Sequence, residues 1–215
     1  MKRQIGAASG MTFDSDTLLM LAGKGSRDAM GELYRRHKPQ VVSFFRHMRA
    51  GSEQTEDLAQ EVFLRIWKTA ARYRPAGKYS SFMFTVAANV WRDQRRRSNV
   101  RETTWVQSDS VEMVEDDHVL PDGAIARAEF RQDFDEALGK LPESERMVFI
   151  LSEIESLSYR EIARIMRCRV GTVGSRKTRA VKRLRELLIE HAPEQYLKEV
   201  SDDEMSRGRI HHSVP

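Results

Sequence analysis

The stretch that most restricts this chain is residues 141–188, LPESERMVFILSEIESLSYREIARIMRCRVGTVGSRKTRAVKRLRELL. Within it Ser158, Tyr159, Arg160 and Glu161 read as a capping box: the serine hydroxyl accepts from the Glu161 amide while the Glu161 carboxylate reaches back to the Ser158 amide. The spacing predicts a helix from about Tyr159, with Leu157 and Ile162 as a hydrophobic staple and Ile162, Ala163, Ile165 and Met166 as its packed face. Arg167, Cys168 and Arg169 interrupt this pattern. A second helix is predicted from near Val170, where Val173, Ala180, Val181, Leu184, Leu187 and Leu188 recur at helical spacing. A short helix, a tight turn and a long helix make a helix-turn-helix.

The charge on that motif points outward to a polyanion. Residues 160–185 carry ten cations against the single carboxylate Glu161. A solvated helix face gains by mixing signs at i,i+4, whereas a one-sign face costs self-repulsion until a phosphate backbone meets it. DNA contact is therefore expected of this segment.

Elsewhere the chain reads as all-α, since 3.6-residue periodicity recurs from Asp16 onward and alternating β-branched runs do not occur. Its 215 residues suit one or two compact domains, and the net charge of +4 is modest, so the partner signal lies in where the charge sits. The single cysteine, Cys168, excludes an internal disulfide and a multi-cysteine metal site. It reads as a small half-buried residue, because no second cysteine can resolve an oxidised thiol. No apolar run reaches the ~18 residues of a membrane span, and MKRQIGAASGMTFDSD lacks the apolar core of a signal peptide. A soluble, cytoplasmic protein without membrane insertion, metal or cofactor is expected.

Residues 1–15 read as a flexible tail. From Asp16 a short apolar helix, a break at Gly23–Gly25 and a helix capped near Ser26 are predicted. Met30, Leu33, Tyr34 and His37 share a face of that helix, Pro39 is expected to kink or restart it, and His37 and His47 read as core-edge histidines. After Gly51 and Ser52, TEDLAQEVFLRIWKTAARY is a strongly amphipathic core helix. One face holds Leu58, Val62 and Ile66, and an adjacent one Ala59, Phe63, Trp67 and Ala70. The acids in its first turns suit a helix N-terminus or a protein-docking face.

In residues 72–97 the cations Arg72, Arg74 and Lys78 alternate with Tyr73, Tyr79, Phe82 and Phe84, and Pro75 and Gly77 place residues 74–79 in a loop. Rings beside cations suit single-stranded nucleic acid, since bases stack on the rings while the backbone meets charge. Phe84 and Val86 read as core. The helix from Ser81 carries Asn89, Trp91 and Arg92 and ends in Arg95, Arg96 and Arg97. Residues 98–125 lose apolar periodicity and turn acidic, with a breaker at Pro121, Asp122 and Gly123, so they read as a flexible linker. Residues 126–192 hold the helix-turn-helix domain, and residues 193–215 a flexible tail.

In this order the segments resemble the extracytoplasmic-function (ECF, group 4) sigma factors of bacterial RNA polymerase, within the sigma-70 family. The resemblance rests on DTLLMLAGKGSRDAMGELYRRH, EDLAQEVFLRIWKTAARYRP, FMFTVAANVWRDQRRR, LPESERMVFILSEIESLSYREIARIM and VGTVGSR, and covers about residues 16–190. It implies two small helical domains joined by the linker: a region 2 unit over residues 16–97 and a region 4 unit over residues 126–192. By position, Asp57, Gln60 and Glu61 would dock on core polymerase. Arg74, Lys78, Tyr79, Phe82, Asn89, Arg92 and Arg96 would meet the minus-ten element, where stacking at ~1–3 kcal/mol per base offsets unpairing. Arg169, Thr172, Ser175, Arg176, Thr178 and Arg179 would meet the minus-35 duplex, with Arg179 the expected reader of a guanine.

The family also implies an anti-sigma factor as a partner, alongside core RNA polymerase and promoter DNA. Four positions depart from its pattern: Arg167 stands where a glycine turns the chain, Gly174 where many members are basic, Lys177 where an apolar residue is common, and Phe82 where tryptophan is common. A stand-alone helix-turn-helix regulator is the alternative, but such a reader needs a dimer, and no heptad or dimer helix is evident. Nothing in the sequence offers a catalytic constellation, so an enzyme is not expected.

Overall fold

The computed structural model describes residues 13–75, 77–102 and 122–191, and their regular structure is entirely helical. The first half comprises α1 (Ser15–Gly23), α2 (Arg27–His47), α3 (Ser52–Ala70) and α4 (Tyr79–Glu102). The second comprises α5 (Asp122–Lys140), α6 (Glu143–Phe149), a π-helical turn (Ile150–Ile154), α7 (Tyr159–Met166) and α8 (Val170–His191). Residues 1–12, 103–121 and 192–215, which hold most of the expected tails and linker, lie outside the described residues, whereas α1 already begins at Ser15 and residues 98–102 and 122–125 of the expected linker are helical.

Local chemistry sets the starts of these helices. Asp14 caps α1 by accepting from the Thr17 amide at 2.7 Å, and Ser26 caps α2 by accepting from the Ala29 amide at 3.2 Å. Between them Gly25 takes φ +94°, a left-handed turn that a glycine enters without a Cβ penalty. Gly23 is required for another reason: a Cβ there would collide with the Ala70 carbonyl, so its absence lets α1 cross the end of α3.

α2 runs unbroken through Pro39, so of the expected kink or restart the restart does not occur. Buried Met30 and Leu33 before the proline and Val41, Phe44 and Phe45 after it lie in one cluster, and that packing holds the helix across the missing donor. Around Phe44 the rings of Phe45 and Phe84 stand 5.2 and 5.6 Å away, forming the centre of the first half. Trp67 departs from its expected core position. It is 44% exposed, while Val62, Phe63 and Ile66 on the same helix are buried.

In the second half the capping box forms in full. Ser158 Oγ accepts from the Glu161 amide at 3.4 Å and the Ser158 amide donates to Glu161 Oε2 at 3.0 Å. Met147, Val148, Ile150 and Leu151 are buried beneath Ile162 and Ile165. The helix through them ends in the π-helical turn, closed by the Glu155 amide on the Ile150 carbonyl at 3.0 Å, a feature that periodicity did not disclose.

The buried side chains of both halves belong to one continuous cluster. Arg146 braces the junction: it donates to the Met48 carbonyl at the end of α2 (3.1 Å) and to the Leu141 carbonyl just past α5 (2.9 Å). These are orphan carbonyls at helix C-termini, where a cation is favoured. Arg95 pairs with Glu143 at 3.2 Å and His47 faces Asp135 at 3.7 Å across the same seam.

Candidate nucleic-acid interface

The helix-turn-helix builds one outward face. Arg167 ends α7 at φ +52°, ψ +47°, the left-handed conformation that a glycine normally supplies. From that turn α8 departs with Val173, Ala180 and Leu184 buried, so the opposite side points away from the body. Arg169, Ser175, Thr178 and Arg179 are exposed there, and Thr172 and Arg176 are half-buried beside them. All six residues expected to meet the minus-35 duplex are thus exposed or half-buried on α8 or just before it. Cys168 is half-buried, as its residue type suggested.

Ion pairs order part of this face. Lys177 bonds Glu153 at 2.6 Å and sits 5.6 Å from the Tyr159 ring, so its charge is satisfied at the core edge. The Glu153 carboxylate raises the Lys177 pKa above its ordinary value. Arg179 and Arg183 both reach Glu145, at 2.9 and 2.8 Å. At Gly174 a side chain would meet only ordinary contact with Tyr159, so space does not demand the glycine.

The residues expected to meet the minus-ten element divide into three groups. Arg74, Lys78 and Arg96 are exposed, and Phe82 is half-buried with its ring 5.0 Å from Tyr73. Tyr79 corrects the expectation of a stacking platform. It is 3% exposed, its ring lies 4.6 Å from His37, and its amide donates to Asp16, because α4 begins at this residue and turns it under α1 and α2. Asn89 and Arg92 are engaged by the second half. Arg92 donates to the Ile165 carbonyl at 2.6 Å and to Asn89 Oδ1 at 2.8 Å, and Arg167 reaches the same Asn89 oxygen at 3.4 Å. Burial, with the Arg167 cation beside it, pulls the Arg92 pKa below its ordinary value. The end of α7 therefore covers this part of α4.

On the far side of α3, Asp57 and Gln60 are exposed. Glu61 accepts from Arg65 at 2.7 Å, and Arg65 in turn bonds Asp93 on α4 at 2.7 Å. Exposed Leu64 and Trp67 continue the same helical face. Trp67 was missed as a surface residue because an apolar type on an amphipathic helix reads as core, and Leu64 was assigned to neither face; the spacing 57, 60, 64, 67 was the available signal. Among the described residues, no group of three His, Cys, Asp or Glu side chains is arranged to hold a metal ion. None of the described helices is long and apolar enough to cross a membrane.

Comparison with known proteins agrees with this architecture. Residues 33–101 match the Sigma-70 region 2 family model and residues 131–184 the Sigma-70, region 4 model. The chain is 30% identical to the RNA polymerase sigma factor CarQ of Myxococcus xanthus, covering 77% of this chain and 92% of that protein. It is also 30% identical to the ECF RNA polymerase sigma factor SigE of Mycolicibacterium smegmatis over 76% of this chain, spanning 63% of that longer relative.

Among solved structures, RpoE of Bartonella quintana, crystallised with the anti-sigma factor NepR, superposes with a TM-score of 0.61 at 26% identity, covering 74% of this chain and 95% of that one. CnrH in complex with the cytosolic domain of CnrY shares the fold, with a TM-score of 0.62 at 24% identity over 83% of this chain and 100% of that one. From its two matched regions and its relatives, the chain belongs to the extracytoplasmic-function sigma factors of RNA polymerase.

Proposed function

We propose that this sigma factor directs promoter-specific initiation by joining core RNA polymerase and gripping the promoter at two points. The observation that carries the reading is the outward cationic face of α8 behind its capped companion helix. Residues 126–192 form the unit for the minus-35 duplex, through Arg169, Thr172, Ser175, Arg176, Thr178 and Arg179. Residues 16–97 form the unit for core docking and for the melted minus-ten strand.

In the second unit Arg74, Lys78 and Arg96 supply phosphate contacts and Phe82 a ring for stacking. Asn89 and Arg92 join them once α7 moves off α4. Asp57, Gln60 and Glu61 meet a basic surface of the polymerase, and Leu64 and Trp67 add apolar area to that contact. The chain contributes binding and strand separation and no covalent chemistry of its own, and it works in the cytoplasm beside the polymerase. An anti-sigma factor is proposed as its regulator, on the analogy of RpoE bound to NepR.

Start-site mapping with reconstituted holoenzyme on a randomised promoter pool tests this. The expected result is a pair of enriched elements about 35 and 10 positions upstream, present only with core enzyme. Tight binding of a palindrome by the chain alone, with no effect on core polymerase, would favour the stand-alone regulator instead.

A further inference from the structure

Glu145 is one of the few buried charged residues among those described, 5% exposed, and it sits in the first turn of α6. Its amide is held by the Pro142 carbonyl at 2.9 Å, so its position is set by the start of that helix. One carboxylate oxygen, Oε1, accepts from Arg179 Nε at 2.9 Å, and the other, Oε2, from Arg183 Nη1 at 2.8 Å. Arg179 and Arg183 lie one turn apart on α8, so a single buried anion grips two cations of the DNA-facing helix.

We infer that Glu145 is a positioning residue for base recognition: it fixes the Arg179 fork so that the terminal nitrogens point at a base edge. The inference rests on Arg179 being a base reader, as proposed above. Its chemical basis is that the Nε bond uses the inner donor and leaves Nη1 and Nη2, the pair that matches the O6 and N7 acceptors of guanine. A long arginine chain, 54% exposed here, otherwise samples many rotamers, and the anion removes that freedom before DNA arrives. The same carboxylate offsets part of the positive charge that α8 presents to a phosphate backbone, so it also weakens non-specific attraction. Glu145 thus trades general affinity for discrimination, a signature that a simple helix-to-helix brace does not share.

The test compares parent, Glu145→Gln, Glu145→Asp, Arg179→Ala and the Glu145→Gln/Arg179→Ala double variant, each as reconstituted holoenzyme. The templates are promoters in which every minus-35 base pair is substituted in turn, and thermal unfolding is followed in parallel. Arg179→Ala is expected to abolish discrimination at one base pair, a loss of about 5- to 150-fold. Glu145→Gln should lose about 5- to 10-fold at that same pair, less than the full value of a bidentate contact. It should also steepen the salt dependence of non-specific duplex binding by up to about one unit of log–log slope.

Glu145→Asp keeps the charge but shortens the reach, so it should lose discrimination with the salt slope unchanged, and the double variant should match Arg179→Ala alone. Equal weakening at every base pair, additive with Arg179→Ala, would overturn the positioning role and leave Glu145 a brace. If Arg179→Ala itself shows no position-specific loss, the base-reader reading fails first and takes the inference with it.

Discussion

The two faces proposed to meet nucleic acid are in opposite states. The outer side of α8 is open, and its cations are held by acids of their own half, Arg179 and Arg183 by Glu145 and Lys177 by Glu153. The inner end of α4 is closed: Asn89 and Arg92 are bonded to the end of α7, and Arg146 clamps the two halves behind them. The difference shows that a cation can be positioned for DNA in two ways. A carboxylate neighbour orders an arginine and leaves it accessible, whereas a backbone carbonyl of another unit orders it by covering it. On the proposed function, the promoter grip would require α7 to move off Asn89 and Arg92 at the minus-ten face, whereas Arg179 and Arg183 at the minus-35 face are already exposed.

The largest expected effect comes from removing the clamp. Arg146→Ala leaves the Met48 and Leu141 carbonyls without their cationic partner and is expected to cost about 3 kcal/mol in urea unfolding. It should also raise the accessibility of a cysteine placed at Asn89. A stable variant with that site still protected would show that Arg92 and α7 hold the closed face by themselves.

A smaller effect of opposite sign is expected at the turn. Arg167→Gly relieves a non-glycine residue at φ +52° and gives up only a long bond to Asn89, so stability should rise by about 0.5–1 kcal/mol in the same assay. A net loss would mean that the Arg167 guanidinium contributes more to the cover over α4 than its 3.4 Å distance suggests.

A pH dependence is expected in the segment leading to α7. Burial pushes Glu155 up from 4.5 to about 7, so between those values the folded protein holds a proton that the unfolded chain has released. Stability from this group is present below about pH 4.5 and declines as pH rises towards 7. Glu155→Gln should therefore match the parent at pH 4.5 and exceed it at pH 8, read from urea midpoints at both values. Curves that stay parallel across this range would remove Glu155 from the account.

Much of the site was legible from residue types because its signals are local. The capping box needs only Ser158 and Glu161 three residues apart, and it formed as expected. The left-handed turn at Arg167 was signalled by the resemblance, which puts a glycine at that position. Trp67 and Tyr79 went the other way for a shared reason: an aromatic residue on an amphipathic helix carries no mark of which neighbour will cover it. Trp67, expected inside, faces solvent, and Tyr79, expected on the surface, lies beneath α2.

The sequence by itself determined the helices, their caps, the cationic side of α8 and the family, because hydrophobic period, capping chemistry and charge are properties of neighbours along the chain. Only the tertiary structure decided that Pro39 does not interrupt α2, that Glu145 grips Arg179 and Arg183, and that α7 closes over Asn89 and Arg92. Those contacts join residues tens of positions apart. They depend on which buried faces pack together, and burial against a distant partner leaves no periodic trace in the residues that supply it.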